Sequence, residues 1–422
     1  MAKSESNESS TCKGHGINWI EERTGGFAMG SIRRNKTNSL IKSIPPSGIR
    51  RFFDLVAEMK DVISLGVGEP DFPTPEHIRK AGIESIQKGI TSYTSNSGLL
   101  QLRQEIVKDA KHYWDLDYDP KNEALVTVGA SEAIDLALRA ILEPGDEVLY
   151  QEPVYVSYAP TVKMAGGVPV AVTTYAEHQF KMQPDHLRAK ITPRSKVLML
   201  NYPNNPTGGV MDRATLTEIA KICEEHDLIV ISDEIYAHLT YSGKHVCFAS
   251  LPGMRERTVL LNGFSKAYAM TGWRLGYALG DEEIIKAMTK IHQFTILCCS
   301  TNAQYAAIEA LRNGETAMLE MKKSYDERRK FFVAGLNRIG LTCFEPLGAF
   351  YAFPSIKISG MDSNTFAEEL LREEKVAVTP GGAFGECGEG YVRCSLASSM
   401  ENLKESLVRM ERFLERHKKQ VG

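Results

Sequence analysis

Lys266 is the residue whose setting most strongly suggests chemistry. It lies in the stretch NGFSKAYAMTGWR, residues 262–274, among small and aromatic residues, and Arg274 follows eight residues later. A lysine after a strand is usually solvated. Burial, however, lowers the pKa of an amine and makes it nucleophilic, which is how lysines that form Schiff bases are prepared. The stretch alone leaves both interpretations open.

The segment VGASEA, residues 128–133, follows an apolar run and leads into a helical pattern. Gly129, Ala130 and Ser131 would form a turn whose free N–H groups lie at the positive end of a helix, where a phosphate binds well. An ordinary helix start with Ser131 as its N-cap explains the same residues. The segment therefore predicts either a phosphate site or a capped turn.

Asp233 follows the apolar run LIVIS, residues 228–232. A carboxylate buried there would be costly without a cation or an N–H partner, although Asp233 could also cap the next helix. Tyr236 follows three residues later, and Asn205 lies in NYPNNPTGG, a cluster that turn chemistry also explains. Their shared position after strands groups them, because ligands of open α/β sheets bind at the carboxyl ends of the strands.

Together, these four features describe a site for pyridoxal 5′-phosphate. The site would combine a carboxylate, a phosphate-binding turn, a tyrosine and an amine at the ends of neighbouring strands. Its carboxylate would keep the pyridine nitrogen protonated, so that the ring can accept electrons. No metal site is predicted, because the eight cysteines show no CxxC pair and no ligand spacing with histidine.

Seven short apolar runs would form the sheet that positions these groups. Most of them are continuous rather than alternating, which is typical of strands buried on both faces of a largely parallel sheet. Helical patterns lie between them, for example at 131–142 and 213–226. The fold class is therefore α/β. The predicted strands are 124–128, 147–151, 168–172, 196–200, 228–232, 258–262 and 275–279.

The chain divides by composition into a tail and two predicted domains. Residues 1–43 are polar and predict a mobile tail. Residues 67–314 predict the large domain that binds the cofactor. Residues 44–66 and 315–422 predict a smaller α/β domain, since the latter range contains long amphipathic segments and two short strand candidates at 348–354 and 390–397.

The overall composition excludes several classes of protein. The 422 residues carry a net charge of −3, which gives no support for nucleic acid as a partner. No apolar run is long enough for a membrane span, so no membrane partner is expected. The cysteines are typical of reduced thiols, which predicts a cytoplasmic protein. Glu5, Glu8, Glu21 and Glu22 argue against a transit peptide, although organellar targeting by the tail and a start at Met29 stay open.

The motifs from about Ile44 to about Phe413 resemble those of class I aminotransferases, and they come in the order of that family. The resemblance implies fold type I, a large domain with a seven-stranded, mostly parallel sheet between helices, and a homodimer with shared active sites. The motifs are GVGEPDFPTP (66–75), SYTSNSGLLQLR (92–103), VGASEAIDLALR (128–139), NYPNNPTGG (201–209), SDEIY (232–236), SKAYAMTGWRLGY (265–277), GAFYAFP (348–354) and GYVRCS (390–395).

The resemblance also implies roles for individual residues. Lys266, Asp233 and Tyr236 correspond to catalytic residues, with Lys266 covalently attached to the cofactor and Asp233 paired with its pyridine nitrogen. Asn205 and Tyr236 correspond to the residues that bind its phenolic oxygen. Tyr155 corresponds to the aromatic residue stacked on the ring. The residues that correspond to the phosphate site are Ala130, Ser131, Ser265 and Arg274, with Tyr93 reaching the phosphate of the partner subunit.

Substrate binding is implied for three residues. Arg393 corresponds to the arginine that holds the substrate α-carboxylate, Gly68 to the backbone that closes over it, and Asn205 also contributes. Gly263 stands where some relatives have a serine near the phosphate. The resemblance therefore predicts transfer of an amino group from an L-amino acid to a 2-oxo acid such as 2-oxoglutarate, with ping-pong kinetics.

The resemblance leaves the reaction and the substrate partly open. An aromatic or broad-range amino donor is favoured, because GASEAIDLALR, NYPNNPTG and the region HQF…CCS are closest to that branch and to the N-acetyl-diaminopimelate branch. Aspartate is the alternative, although Ser131 and Glu132 stand where some dicarboxylate enzymes have a lysine. A C–S lyase shares the same motifs. A regulator with an aminotransferase-like domain is a remote alternative, since about 43 residues are too few for an added DNA-binding domain.

Overall fold

The computed structural model describes residues 36–45 and 59–417. The chain separates into two compact units, Met1–Ser43 and Ile44–Gly422. The described part of the first unit contains the short helix α1 (Ser39–Ser43). The predicted mobile tail lies outside the described residues as far as residue 35, and so do residues 46–58 of the predicted small domain. Among the described helices, none has the length and apolarity needed to cross a membrane.

The strands of the second unit form three sheets among the described residues. They are β1 (Ile63–Ser64), β2 (Ala124–Thr127), β3 (Glu147–Glu152), β4 (Val168–Thr173), β5 (Ser195–Asn201), β6 (Ile229–Asp233), β7 (Thr258–Gly263), β8 (Gly276–Leu279), β9 (Tyr351–Ala352), β10 (Val376–Ala377), β11 (Thr379–Pro380) and β12 (Val392–Ser395).

The α-helices of this unit follow most of the strands. They are α2 (Glu76–Gln87), α3 (Leu100–Trp114), α4 (Gly129–Ile141), α5 (Tyr158–Met164), α6 (Pro184–Arg188), α7 (Arg213–Glu225), α8 (Glu282–Thr295), α9 (Thr301–Asn313), α10 (Glu315–Arg338), α11 (Ser363–Glu374) and α12 (Met400–His417).

The large sheet has seven strands in the order β2-β8-β7-β6-β5-β3-β4. All neighbours are parallel except β8, which is antiparallel to both β2 and β7. The seven predicted apolar runs are these seven strands, so the predicted seven-stranded, mostly parallel sheet is confirmed. Because β5, β6 and β7 are adjacent and parallel, the segments that follow them meet at one edge of the sheet.

The continuous apolar runs arise because both faces of the sheet are covered by helices. In β5, Val197 and Met199 pack with residues of α4 and α8, whereas Leu198 and Leu200 pack with residues of α7 on the other face. Alternate residues of a strand point to opposite faces, so every position of such a strand has to be apolar. The buried sheet gives the site a rigid base.

A second apolar core lies towards the C-terminus of the chain. This C-terminal core joins β1 and β10, which pair in parallel, with the antiparallel sheet β11-β12-β9 and with α10, α11 and α12. The strand candidates 348–354 and 390–397 are thus partly confirmed, as the shorter β9 and β12. The division into a large and a small domain stays a prediction.

Helix α10 packs in two apolar cores, the C-terminal core and one beside the large sheet. Met318 packs with the residues between the large sheet and helices α3 and α9, a set that we call the sheet-side core. Met321, Tyr325 and Phe332, further along the same helix, pack in the C-terminal core.

Candidate active site

A cavity of about 400 Å³ lies at the carboxyl ends of β5, β6 and β7, within the size range of small-molecule sites. Every predicted site residue except Tyr93 lines it. The lining residues are Val67, Gly68, Glu69, Ala130, Ser131, Ile134, Tyr155, Asn201, Asn205, Asp233, Ile235, Tyr236, Ser265, Lys266, Thr271, Arg274, Tyr351 and Arg393.

Lys266 projects into this cavity from the turn that follows β7. Its Nζ donates a hydrogen bond to the carbonyl oxygen of Gly68 at 2.6 Å. Burial, followed by the positive charge of Arg393, lowers the pKa of the Lys266 amine to about 8. An amine with this pKa is partly unprotonated near neutral pH, so it is able to act both as a nucleophile and as a base.

Asp233 is the last residue of β6 and is 5% exposed. Its Oδ2 accepts a hydrogen bond from the hydroxyl of Tyr158 at 2.7 Å, and its Oδ1 accepts one from the N–H of Ile235 at 3.2 Å. Burial raises the pKa of this carboxyl to about 6 despite these donors. The alternative role as a helix cap is not observed, because the next turn, Ala237–Leu239, follows Tyr236. A cation in the cavity would stabilise the ionised form of Asp233.

The side chain of Asn201 ties the ends of β5 and β6 together. Its Nδ2 donates to the carbonyl oxygen of Asp233 at 3.1 Å, and its Oδ1 accepts from the N–H of Asn205 at 3.1 Å. The turn chemistry expected for NYPNNPTGG is also present, because Asn204 Oδ1 accepts from the N–H of Thr207 at 3.1 Å. The position of Asn205 is therefore fixed by hydrogen bonds from its own segment.

The turn before α4 differs from the sequence expectation. The helix begins at Gly129, two residues earlier than predicted, and no side chain caps it from the N-cap position, which is Val128. Ser131 lies inside the first turn instead, and Glu132 Oε2 accepts from the N–H of Val128 at 2.5 Å. The expectation that Ser131 is the N-cap is wrong, because the left-handed Gly129, at φ 74°, lets the chain enter the helix before reaching Ser131.

Arg274 approaches the same helix end very closely. A Cβ atom at position 129 would lie only 2.6 Å from Arg274 Nη2, the end of a flexible side chain, so the positive φ rather than space favours glycine there. The first N–H groups of a helix have no partner within the helix. These N–H groups and the guanidinium face one cavity, and this arrangement fits a phosphate group.

Arg393, in β12, is a cation buried to 4% exposure. Its Nη1 donates to Asn205 Oδ1 at 2.9 Å and its Nη2 to the carbonyl oxygen of Gly66 at 2.6 Å. Its Nε has no hydrogen-bond partner, and no carboxylate pairs with it among the described residues. A buried cation without a counter-ion is unfavourable, so the geometry fits an anionic ligand such as a carboxylate.

Two tyrosines of the site were missed from the sequence. Tyr158 hydrogen-bonds Asp233, and Tyr351 lies with its hydroxyl 2.8 Å from that of Tyr236 and its ring 4.6 Å from the Arg393 guanidinium. Tyr158 lies three residues after Tyr155, and Tyr351 lies in the motif GAFYAFP, so both are close in sequence to features that were singled out. Their roles depend on contacts between residues far apart in the chain.

The comparison with known proteins decides the family. The family model described as aminotransferase class I and II matches residues 60–410. The chain belongs to this family. It is an aminotransferase of fold type I, as the sequence motifs predicted.

Relatives of this aminotransferase include enzymes named for different substrates. It is 49% identical to an aspartate aminotransferase of Pyrococcus abyssi, over 89% of this chain and 97% of the relative. It is 45% identical to aromatic-amino-acid aminotransferase 2 of Thermococcus litoralis, over 90% and 98%. A crystal structure of an aromatic aminotransferase from Pyrococcus horikoshii superposes with a TM-score of 0.83 at 47% identity, covering 86% of this chain and 99% of that one.

Two residues of the aminotransferase singled out by sequence lie apart from the cavity. Tyr93 is 82% exposed and does not line it, so its assignment to the phosphate of a partner subunit stays a prediction. Gly263 does not line it either, and a Cβ atom there would lie 3.0 Å from the carbonyl oxygen of Leu275. The glycine is thus explained by close packing of β7 against β8.

Proposed function

We propose that this aminotransferase uses pyridoxal 5′-phosphate to transfer the amino group of an aromatic L-amino acid, or of a broad range of amino acids, to 2-oxoglutarate. The observation that carries the proposal is one cavity that combines an amine of lowered pKa, Lys266, with a buried carboxylate, Asp233, and two cations, Arg274 and Arg393. When bound, the cofactor supplies an electron-accepting ring that stabilises negative charge on the substrate Cα.

We assign different binding roles to the residues of the cavity. Arg274, Ser265 and the N–H groups of Ala130 and Ser131 bind the phosphate, and Asp233 keeps the proton on the pyridine nitrogen. Arg393 binds the α-carboxylate of the substrate, and its hydrogen bond to Asn205 orients the guanidinium.

Proton transfer is assigned to the Lys266 amine. Its lowered pKa of about 8 would allow it to take the proton from the substrate Cα and to deliver a proton to the C4′ carbon of the bound cofactor. Tyr236 and Asn205 line the same cavity and are assigned to the phenolic oxygen of the cofactor, and Tyr155 is assigned to stacking on its ring. Tyr158 keeps Asp233 in place through their 2.7 Å hydrogen bond.

The charge of the lining supports the preference for aromatic or broad-range donors. Lys266, Arg274 and Arg393 are the cationic side chains that line the cavity within the described part of the chain, and all three already have assignments. A distal carboxylate would therefore find no further cation there, and Glu69 would repel it. Val67, Ile235 and Tyr351 supply apolar surface for a side chain. Aspartate is the second candidate, because a relative with that name is 49% identical.

The proposal includes a cytoplasmic homodimer. Tyr93 is 82% exposed and does not line the cavity of its own chain, and in a dimer it would reach the phosphate of the partner subunit. The seven described cysteines are free thiols, which suits a reducing compartment. Sedimentation equilibrium of the holoenzyme tests the dimer, and a mass of one chain would contradict it.

The test of the proposed reaction is a scan of amino donors with 2-oxoglutarate. The purified holoenzyme is incubated with each amino acid, and glutamate, oxo acid, ammonia and sulfide are measured. We expect a higher kcat/KM for phenylalanine, tyrosine or tryptophan than for aspartate. Turnover of aspartate alone would replace the proposal by its second candidate, and release of ammonia or sulfide without glutamate would indicate a lyase.

A further inference from the structure

Residues 66–74, GVGEPDFPT, form an irregular segment over the cavity, which we call the cover segment. Two of its carbonyl oxygens accept hydrogen bonds from Arg393 and Lys266. Gly66 accepts from Arg393 Nη2 at 2.6 Å, and Gly68 accepts from Lys266 Nζ at 2.6 Å. A Cβ atom at Gly68 would lie 2.6 Å from the hydroxyl oxygen of Tyr351, so the segment lies directly on the site. Its position therefore affects both cations.

The cover segment is not positioned by regular secondary structure. Within the described part of the chain, its residues form no hydrogen bond between main-chain groups. Pro70 and Pro73 have no N–H group to donate. A segment of this kind takes its position from side-chain contacts.

Thr379 Oγ1 donates to the carbonyl oxygen of Gly66 at 3.1 Å, and Thr271 Oγ1 donates to Glu69 Oε2 at 3.3 Å. The middle of the segment is held by an ion pair between Asp71 and Arg328 of α10. Arg328 Nη1 lies 2.8 Å from Asp71 Oδ1 and 2.9 Å from Oδ2. The side chain of Asp71 is 25% exposed and that of Arg328 is 11% exposed. The pair is therefore partly shielded from solvent, and a shielded ion pair is stronger than one on an open surface.

Aromatic rings hold the Arg328 guanidinium in place. Its Cζ lies 5.1 Å from the ring centre of Phe72 and 5.6 Å from that of Tyr325, and the two rings pack edge to face. A planar guanidinium stacks on aromatic rings in a way that a lysine ammonium does not. The far end of the segment is held separately, because Thr74 Oγ1 donates to the carbonyl oxygen of Ala269 at 2.6 Å.

We infer that Arg328 is a positioning residue for substrate binding, which acts by holding Asp71 and thereby the carbonyl groups of Gly66 and Gly68. These carbonyl groups orient Arg393 and Lys266 without touching the substrate themselves. The inference rests on the proposed function only for the roles of Arg393 and Lys266. Its chemistry is specific to arginine, because it needs both the charge and the planar stack.

Kinetics of the holoenzyme variants Arg328→Met and Asp71→Asn test this inference. We expect KM for the amino donor to rise about 10- to 100-fold, since small displacements of binding groups have effects of that size, while kcat changes less. The KM of Arg328→Lys should lie between the values for these two variants and the value for the parent. The matched control is Lys330→Met on the same helix, because Lys330 forms a surface ion pair with Asp326. The KM of this control variant should equal that of the parent.

Hydrogen exchange gives a readout that is independent of activity. In Arg328→Met, peptides that contain residues 66–74 should exchange faster than in the parent, and peptides from β5, β6 and β7 should not. The double variant Asp71→Asn, Arg328→Met should have the same KM and the same exchange rate as Arg328→Met alone, because the two residues act as one unit.

The outcomes separate this inference from the proposed function. If Arg393→Lys raises KM but Arg328→Met and Asp71→Asn do not, positioning by Arg328 is wrong. If Arg393→Lys itself leaves KM unchanged, the proposed substrate site is wrong. Should Arg328→Met fail to fold, Asp71→Asn decides, because it leaves the guanidinium in contact with both rings. An unchanged KM and an unchanged exchange rate in Asp71→Asn overturn the inference.

Discussion

The strand ends and the cover segment form two sides of one cavity, and they are built in different ways. Asp233 ends a fully paired strand, and Lys266 and Asn205 follow such strands within a few residues. The cover segment has no main-chain pairing among the described residues and is held by side chains. From this difference we expect turnover to depend mainly on the strand ends and substrate affinity mainly on the cover segment. Variants at the strand ends should lower kcat, and variants that disturb the cover segment should raise KM.

Lys266→Ala should have the largest effect. Turnover should fall about 10⁴-fold or more, because the variant loses both the nucleophile and the general base. The initial rate with 2-oxoglutarate measures the loss, and the visible absorbance of the lysine-bound cofactor should disappear with it. Lys286→Ala, at an exposed lysine of α8, serves as the control. A variant at position 266 that keeps its turnover would refute the assignment of the strand ends.

Asp233→Asn should have the next largest effect on turnover. We expect kcat to fall about 10²- to 10³-fold, the usual loss when a buried electrostatic partner of the reaction is removed. KM for the amino donor should change little, because Arg393 and the cover segment are intact. A variant that mainly raised KM would break the division between the two sides of the cavity.

The same variant should stabilise the protein without cofactor. The folded pKa of Asp233, about 6, lies above its usual value of 3.8, so the ionised carboxylate opposes folding at pH values above both. Asp233→Asn removes this penalty, and the gain should grow from about pH 4 to pH 6 and then stay constant, reaching roughly 1–3 kcal/mol. Urea unfolding of the parent and variant apoproteins at several pH values measures it. A gain that shrank as the pH rose would contradict the sign.

Arg393→Lys tests the cover side of the cavity. Loss of the planar guanidinium from a buried site should raise KM about 30-fold or more, with a smaller change in kcat. The bound cofactor should keep its visible spectrum. Arg372→Lys, at a surface pair on α11, is the matched control. Loss of cofactor from the Arg393 variant would contradict its assignment to the substrate.

Tyr93→Phe should have the smallest effect. If Tyr93 donates to the phosphate in the partner subunit, its loss should weaken cofactor binding about tenfold, the value of one hydrogen bond to a charged group. Titration of the apoprotein with pyridoxal 5′-phosphate measures the change, and Tyr175→Phe at another exposed tyrosine is the control. Equal affinities of parent and variant would remove Tyr93 from the site.

The contrast between the two sides also explains what the sequence could predict. Strands buried on both faces have continuous apolar runs, so the seven strands and the polar groups after them, such as Asp233 and Lys266, were predictable. The helix start at Gly129 was not, because it depends on the left-handed φ of that residue. Nor were Tyr158, Tyr351 and Arg328, since their partners lie 75, 115 and 257 residues away in the chain.

The two cores that share helix α10 determine where this enzyme can be recombined with a relative. A crossover at residue 315 would follow the predicted domain boundary, but it would give Met318, which is 2% exposed, a foreign set of neighbours in the sheet-side core. Where the foreign neighbours leave a cavity around Met318, the free energy of unfolding should fall by about 2–5 kcal/mol. A crossover between Met318 and Met321 would leave the sheet-side core with its own side chains. The buried residues of the C-terminal core that would then come from the other parent are Ile63, Leu65, Tyr236, Leu239 and Ala269. Chimeras that exchange the substrate side of the cavity should therefore be joined inside the helix rather than at its start.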